Sequence, residues 1–407
     1  MKILREIISF VKKKSMPKAL ISLKSKKDQA VRRFHPWIFS NAIKNIEGEV
    51  SEGDLVEVYS NKGKLLGHGH YQESGSISIR MVTFGEHKFD SKVISDRIQR
   101  AWHSRINLGL MSENNNCFRL IFAEGDGLPG VIADYYNTYV ILQFHSSGMY
   151  KMKEEICSAL MSIKEIKGVY NKSSALLSKY GLEIEDGVLA GEVPEETEVI
   201  ENGHVFKINW LTGQKTGFFL DQRDSRLLLS RYVQNKKVLN TFSYTGGFSI
   251  YALNNGAEFV HSVDSSAPAL QILEDNLKLN KVKENKHKSF SGDVMEFIKE
   301  METSYDVIVL DPPAFAKSRS ARHNAVQGYK RLNATVMRQM KPGSLLFTFS
   351  CSQVVDPALF YHTIVSAGLA AEREIKVLHK LTQPADHPVS LFHPEGEYLK
   401  GLVLEIL

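Results

Sequence analysis

Two residues able to make and stabilise a covalent bond each end a short apolar run: Cys351 after LLFTFS and Asp311 after VIVL. Runs of that length, rich in β-branched or aromatic residues, read as buried strands and are too short for helices. Pro312 and Pro313 follow Asp311. Proline has no backbone N–H to give, so sheet pairing stops there. The result is a stiff turn carrying a carboxylate at the carboxyl end of a strand, where open α/β sheets bind ligands. Phe315 adds a flat ring, and Lys317 and Arg319 add charge. That set suits a nucleobase with its phosphate. Cys351 ends the next strand and would open on the same cleft. Cytosine C5 is a poor nucleophile. A thiolate added at C6 makes C5 enamine-like, and a carboxylic acid bonded to N3 stabilises the adduct. The competing reading of Cys351 is a buried packing cysteine.

Upstream, the order of signals is strand, glycine loop, helix, strand, acid, repeated, as in a doubly wound α/β sheet. KKVLN is its first strand and TFSYTGGFS its loop. Phe242, Ser243, Tyr244, Thr245, Gly246 and Gly247 form that loop, and the two glycines permit close backbone approach. The Gly-x-Gly-x-x-Gly spacing of a pyrophosphate site is absent. Asp264 ends the second strand, 24 residues after Asn240, with Ser265 next to it. Asp293 ends the third, followed by Val294. Acids at successive strand ends fit a nucleoside with an amino-acid tail: Asp264 for the ribose hydroxyls, Asp293 for an adenine amino group, the loop for methionine. The cofactor so described is S-adenosylmethionine. Each acid alone also reads as a helix cap. Ahead of the first strand, TGQKTGFFLDQRDSR offers Phe218 and Phe219 to cover a ring, and Gln222 and Arg223 to pair with a carboxylate. A helix entry capped by Asp221 or Asp224 is the alternative there.

The elements that position these residues occupy the last half of a 407-residue chain. Length predicts two or three domains. Residues 18–84 alternate in short runs separated by glycine and asparagine turns, the pattern of a small β domain. In RRFHPWIFS, Arg32 and Arg33 are candidates for phosphate contact, while Trp37 and Phe39 are expected to plug the small barrel. Residues 91–203 read as α+β, with a helix over Lys92–Leu110 and no catalytic constellation. Cys117 and Cys157 are expected to pack. The three cysteines lie far apart, which indicates neither zinc nor a disulfide framework, and no metal is expected. No apolar run reaches the roughly 18 residues of a membrane span, so a cytoplasmic protein is expected. Net charge is +5, yet residues 1–33 carry eleven Lys or Arg against Glu6 and Asp28. Residues 312–355 carry seven cations and no acid. Such patches favour a polyanionic partner.

QKTGFFLDQRDSR, VLNTFSYTGGFS, VDSSAPAL, DVIVLDPPAFAKS, LLFTFSCS, ADHPV and HPEGEYLKG resemble the RlmI-type large-subunit rRNA cytosine-5 methyltransferases. RRFHPWIFS and AEGDGLPGVIADYY extend the resemblance to the front half. It implies a PUA-like RNA-binding β-barrel over 1–90 with a basic N-terminal arm, a central α+β domain over 91–203, and a Rossmann-like class I methyltransferase domain over 204–407. It also implies S-adenosylmethionine as donor, Cys351 as nucleophile and large-subunit rRNA as partner. The residues themselves place Pro312, Pro313, Phe315 and Lys317 with Asp311 at the base pocket. The question of a homodimer stays open. The lysine-rich N-terminal extension departs from the family pattern. Two rivals remain: methylation of a guanine nitrogen with Cys351 structural, and a non-catalytic RNA-binding factor that keeps the pocket.

Overall fold

The computed structural model describes residues 19–301, 304–316 and 318–407. The basic arm over residues 1–18, and Lys317, lie outside them. The described chain forms two compact units. The first takes residues up to 111, 117–195 and the later segment 386–396. The second takes 112–116, 196–385 and 397–407.

The first unit holds two sheets. β1 (Ala19–Leu23), β2 (Trp37–Phe39), β3 (Ile43–Glu47), β4 (Leu55–Tyr59), β5 (Leu65–Tyr71) and β6 (Ile77–Phe84) form a bulged sheet in the order β2-β6-β5-β4-β1-β3. Ile21, Val56, Val58 and Ile79 are fully buried in its core. The expected plug is not there. β2 alternates, so Ile38 faces the core while Trp37 and Phe39 point away. Phe39 is exposed, and the Trp37 indole N–H donates to Glu124 at 2.8 Å. β7 (Cys117–Phe122), β8 (Val131–Tyr136), β9 (Tyr139–Phe144), β10 (Gly168–Asn171) and β11 (Gly187–Gly191) form the second sheet. The helices Ser91–Asn107 and Lys153–Met161 pack on it through Ile94, Ile98, Trp102, Ile156 and Leu160. Cys117 and Cys157 are buried, as small packing residues should be.

In the second unit, the hairpin of β12 (Glu196–Glu201) and β13 (His204–Asn209) comes first, so the unit begins ahead of residue 204. Seven strands follow: β14 (Lys237–Thr241), β15 (Phe259–Asp264), β16 (His287–Ser291), β17 (Val307–Leu310), β18 (Leu345–Ser350), β19 (Ile375–Thr382) and β20 (Lys400–Ile406). Their order is β16-β15-β14-β17-β18-β20-β19. The first five run parallel, and β20 inserts antiparallel to both its neighbours. Both faces are covered, which is why these strands read as continuous apolar runs. Ile308 and Leu310 join the cluster of the helices Arg322–Gln339 and Pro357–Ala371. Val307 and Val309 join the one containing Leu229, Phe248 and Ala252, from the helices Arg223–Leu229 and Gly247–Asn254. Strand order reverses between β14 and β17, and that switch point is where such sheets bind ligands.

Candidate active site

At the carboxyl ends of β14, β15, β17 and β18 the chain encloses a cavity. Residues 242–245 and Gly247 line it after β14, Asp264 and Ser265 after β15, Asp311 to Pro313 after β17, and Cys351 after β18. The sheet thus collects four sequence-distant segments at one edge. Gln214, Lys215, Phe218, Phe219, Asp221, Gln222 and Arg226, with Phe248 and Leu399, complete the wall.

Local chemistry fixes each piece. Phe242 and Tyr244 hold positive φ of 53° and 48°, and Gly246 follows at 83°. Two non-glycine residues in the left-handed region store strain, which clusters at functional sites. Gly246 admits no side chain, since a Cβ there would sit 2.6 Å from Leu273. This turn brings the Tyr244 N–H to Asp264 Oδ2 at 2.8 Å, while the Ser266 N–H takes Oδ1 at 2.8 Å. Each carboxylate oxygen keeps a further lone pair toward the cavity. The Tyr244 hydroxyl accepts from Gln214 N at 2.9 Å and donates to Gly217 O at 3.2 Å, pinning the 214–219 loop. Phe218 and Phe219 line the cavity as expected.

Ser352 fastens the two reactive loops together. Its hydroxyl accepts from Ala316 N at 3.3 Å and donates to Ala316 O at 3.2 Å. Lys400, across the ladder from Ser350, is buried and donates from Nζ to Ser352 O and to Tyr398 O, each at 2.6 Å. Burial lowers Lys400 to about 8. Burial, with Asp221 beside it, raises Asp311 to about 7, against the Gln222 Nε2 donor at 2.9 Å. Burial and then the Asp311 charge raise the Cys351 thiol to about 11, while Lys215 and Lys400 oppose that rise. A carboxyl group half-protonated near neutral pH can donate a proton, which an ordinary aspartate cannot.

The expected residues do not all converge. Gln222 reaches the cavity but spends its amide on Asp311. Arg223 is buried and turned to Glu201, 3.6 Å away. The helix Arg223–Leu229 begins at Gln222, whose side chain makes no cap bond, and Asp221 accepts from the Tyr398 hydroxyl at 2.5 Å. Asp293 lies outside the cavity lining, because β16 ends at Ser291 and the carboxylate caps the next helix, accepting from Glu296 N at 3.0 Å. Val294 is core. Phe315 packs on Tyr329 at 4.6 Å instead of lining the cavity. Arg32 is paired to Asp28 at 2.7 Å, and Arg33 is exposed. In the 312–355 cluster, Arg322 and Lys341 are spent on Asp356 and Asp306. Sequence reading missed Asp221, Lys215, Lys400 and the buried Arg226–Glu201 pair, both of whose arms measure 2.8 Å. Only the proximity of Lys400 to the HPEGEY run hinted at its place.

In the first unit, His35, His393 and Glu395 converge with ligating atoms within 4.8 Å. His35 Nδ1 accepts from Trp37 N at 3.2 Å, so its Nε2 carries the proton and faces Glu395 at 3.3 Å. His393 stands apart from that bond: both its ring nitrogens are buried with no hydrogen-bond partner among the described residues, and its Nε2 lies 3.9 Å from Glu395.

Cavity and sheet together define a class I methyltransferase fold. Ser243 Oγ and Gln222 Oε1 are buried at this cavity with no hydrogen-bond partner among the described residues, so a polar ligand fits them. Residues 170–395 match the family model of S-adenosylmethionine-dependent methyltransferases, and residues 21–84 that of PUA-like domains. The ribosomal RNA large subunit methyltransferase I of Aliivibrio fischeri is 39% identical over 95% of this chain and 99% of its own. The Vibrio cholerae protein of that name is 39% identical over 94% and 98%. An S-adenosylmethionine-dependent methyltransferase structure from Streptococcus mutans shares the fold, with TM-score 0.82, 23% identity and coverage of 96% and 100%. A methyltransferase solved with SAH gives TM-score 0.83 at 23% identity, over 96% and 100%. The chain belongs to the S-adenosylmethionine-dependent methyltransferases, in the ribosomal RNA large subunit methyltransferase I family, and its cofactor is S-adenosylmethionine. No helix among the described residues is long and apolar enough to cross a membrane.

Proposed function

We propose that this protein methylates C5 of a cytosine in large-subunit ribosomal RNA through a transient bond from Cys351 Sγ to C6. One observation carries the reading: a thiol and a carboxyl group poised near neutrality open on the same cavity. The names of the 39% identical relatives support the substrate class. Asp264, Ser265 and the 242–247 loop would hold the cofactor, which supplies an electrophilic methyl group and a sulfonium charge when bound. The target base must leave its stack to enter.

Cys351 gives up its proton to water, helped by Lys215 and Lys400, whose charges lower the thiol's affinity for it. Sulfur bonds C6, the ring's electron pair shifts to N3, and Asp311 gives N3 its proton. C5, now enamine-like, takes the methyl group. C5 then loses its hydrogen to water, the N3 proton returns to Asp311, and the C6–S bond breaks to free the thiolate. Pro312 and Pro313 keep the Asp311 turn stiff. RNA with 5-fluorocytosine at the target traps such an enzyme, because fluorine cannot leave as a proton does. Wild type should form the covalent complex. Cys351→Ala should bind cofactor and RNA, form no complex and transfer no methyl group. Full activity in Cys351→Ala, or a methylated guanine in the digested product, would overturn the cytosine reading.

A further inference from the structure

In the first unit, Phe34, Phe84 and Phe392 border a groove also lined by Arg97 and Arg100. The chemistry above makes no use of it. We propose that this groove takes an unpaired nucleobase of RNA, stacked on Phe34 and Phe392, with the adjoining phosphate on Arg97 and Arg100. The inference deepens the reading of RNA as substrate and rests on it.

Phe34 carries the first observation. It follows the short helix Gln29–Arg32 at φ 63°, the position after a helix where glycine usually sits. A phenylalanine there is strained. Strain of that kind is ordinarily compensated by burial, yet Phe34 is 52% exposed. Phe392, 49% exposed, lies 5.3 Å from it, and Phe84 holds the Phe34 ring edge-on at 5.5 Å. Two exposed rings from positions far apart in sequence therefore make one apolar surface. Aromatic rings held open to solvent are what single-stranded nucleic acid stacks upon.

Charge supplies the second observation. Arg97 donates to Gly127 O and to Val82 O, which fixes the guanidinium without neutralising it. Arg100 donates to Asp96 O and is exposed. Neither arginine pairs with a carboxylate among the described residues. Burial and the neighbouring Arg100 lower Arg97 to about 10, as two like charges kept together require. Of the acids lining the groove, Asp126 is closed by Arg105 on both oxygens, and Glu124 is turned to the Trp37 indole. Arg97, Arg100 and Arg105 outnumber Glu124 and Asp126 along the groove, so its net charge is positive, beside flat rings, which matches a base with its phosphate and not an acidic or apolar peptide alone.

The test uses the full chain, a short unstructured oligoribonucleotide carrying fluorescein, and the same strand in a duplex. Phe34→Gly relieves the backbone strain, so its thermal midpoint should match or exceed wild type. Its affinity for the single strand should still fall roughly 5- to 150-fold, the worth of one base stack. The salt slope of binding should not change, since no phosphate contact is lost. Arg100→Ala should instead flatten that slope by about 0.7. Phe392→Ser should repeat the Phe34→Gly loss. Wild-type affinity in Phe34→Gly, or equal losses on single strand and duplex, would overturn the stacking site and leave a protein-facing patch. Methyl transfer is not read in this experiment. Intact stacking without a fluorocytosine trap would refute the catalytic reading alone.

Discussion

In the first unit, two buried arginines are closed in carboxylate pairs. Arg105 meets both oxygens of Asp126 at 2.6 and 2.7 Å, and Arg119 meets Asp134 at 2.5 and 3.1 Å. Around the cavity of the second unit the same side-chain types are arranged differently. Asp311 faces Asp221, and Cys351 faces both. The pairs use up their charge in holding the backbone, as when Arg105 also donates to Arg119 O. The cavity groups do not cancel, so burial and like-charge repulsion appear as displaced proton affinities. Displacement of this kind is what general acid chemistry needs. The second unit also holds a closed pair, Arg226–Glu201, yet there it braces the cavity wall, with Arg226 donating to Phe219 O at 3.0 Å. Closure marks structure, and unrelieved repulsion marks chemistry.

That contrast can be broken most sharply at Asp311. Asp311→Asn keeps the shape and removes the proton donor, so methyl transfer should drop roughly 10²- to 10⁴-fold. The pH profile should change with it. With the acid near 7 and the thiol near 11, wild-type activity should rise with pH to about 7 and then level. Below 7 only the thiolate fraction grows. Above 7 loss of the Asp311 proton cancels that growth. The variant should keep rising. Stability gives an independent sign. The folded-state pKa lies above the ordinary value, so the folded state binds the proton more tightly, and stability should fall as pH rises from about 4 through about 7. Denaturant midpoints of wild type and Asp311→Asn across that range would show the slope in the first and not the second.

Breaking a closed pair should act on folding instead. Arg105→Met strands Asp126 and should cost about 3–5 kcal/mol, read by urea denaturation, with cofactor affinity unchanged in the fraction that folds. Smaller again is Asp264→Ala. The Tyr244 and Ser266 amides lose their acceptor along with the cofactor, and calorimetry should find S-adenosylmethionine bound more weakly by about 1.5–3 kcal/mol. The smallest effect separates two neighbours. Arg33→Ala should flatten the salt slope of RNA binding by about 0.7, one phosphate contact. Arg32→Ala should change it less, because Arg32 is already held by Asp28.

The strands that build the cavity were legible because their side chains alternate between two covered faces and so stay apolar throughout, as in VIVL and LLFTFS. The loop residues were legible because glycine pairs and the Pro312–Pro313 step constrain the backbone locally. Asp293 was misplaced by two residues of strand length, a boundary that hydrogen bonding decides and composition does not. Trp37 and Phe39 went to the wrong face because three residues are too few to set a strand's phase.

What the sequence determined alone is therefore the order of elements and the presence of an acid, a thiol and a glycine loop at strand ends. These follow from local rules: side-chain periodicity, missing amide protons and backbone freedom. Tertiary structure decided the rest. Lys400 lies 49 positions from Cys351, yet reaches the loop after β18 because β20 inserts antiparallel beside that strand. Asp221 meets Asp311, and Phe392 meets Phe34, by the same means. Proton affinity and shared surface depend on what stands nearby in space, and the neighbours in each case come from separate segments of the chain.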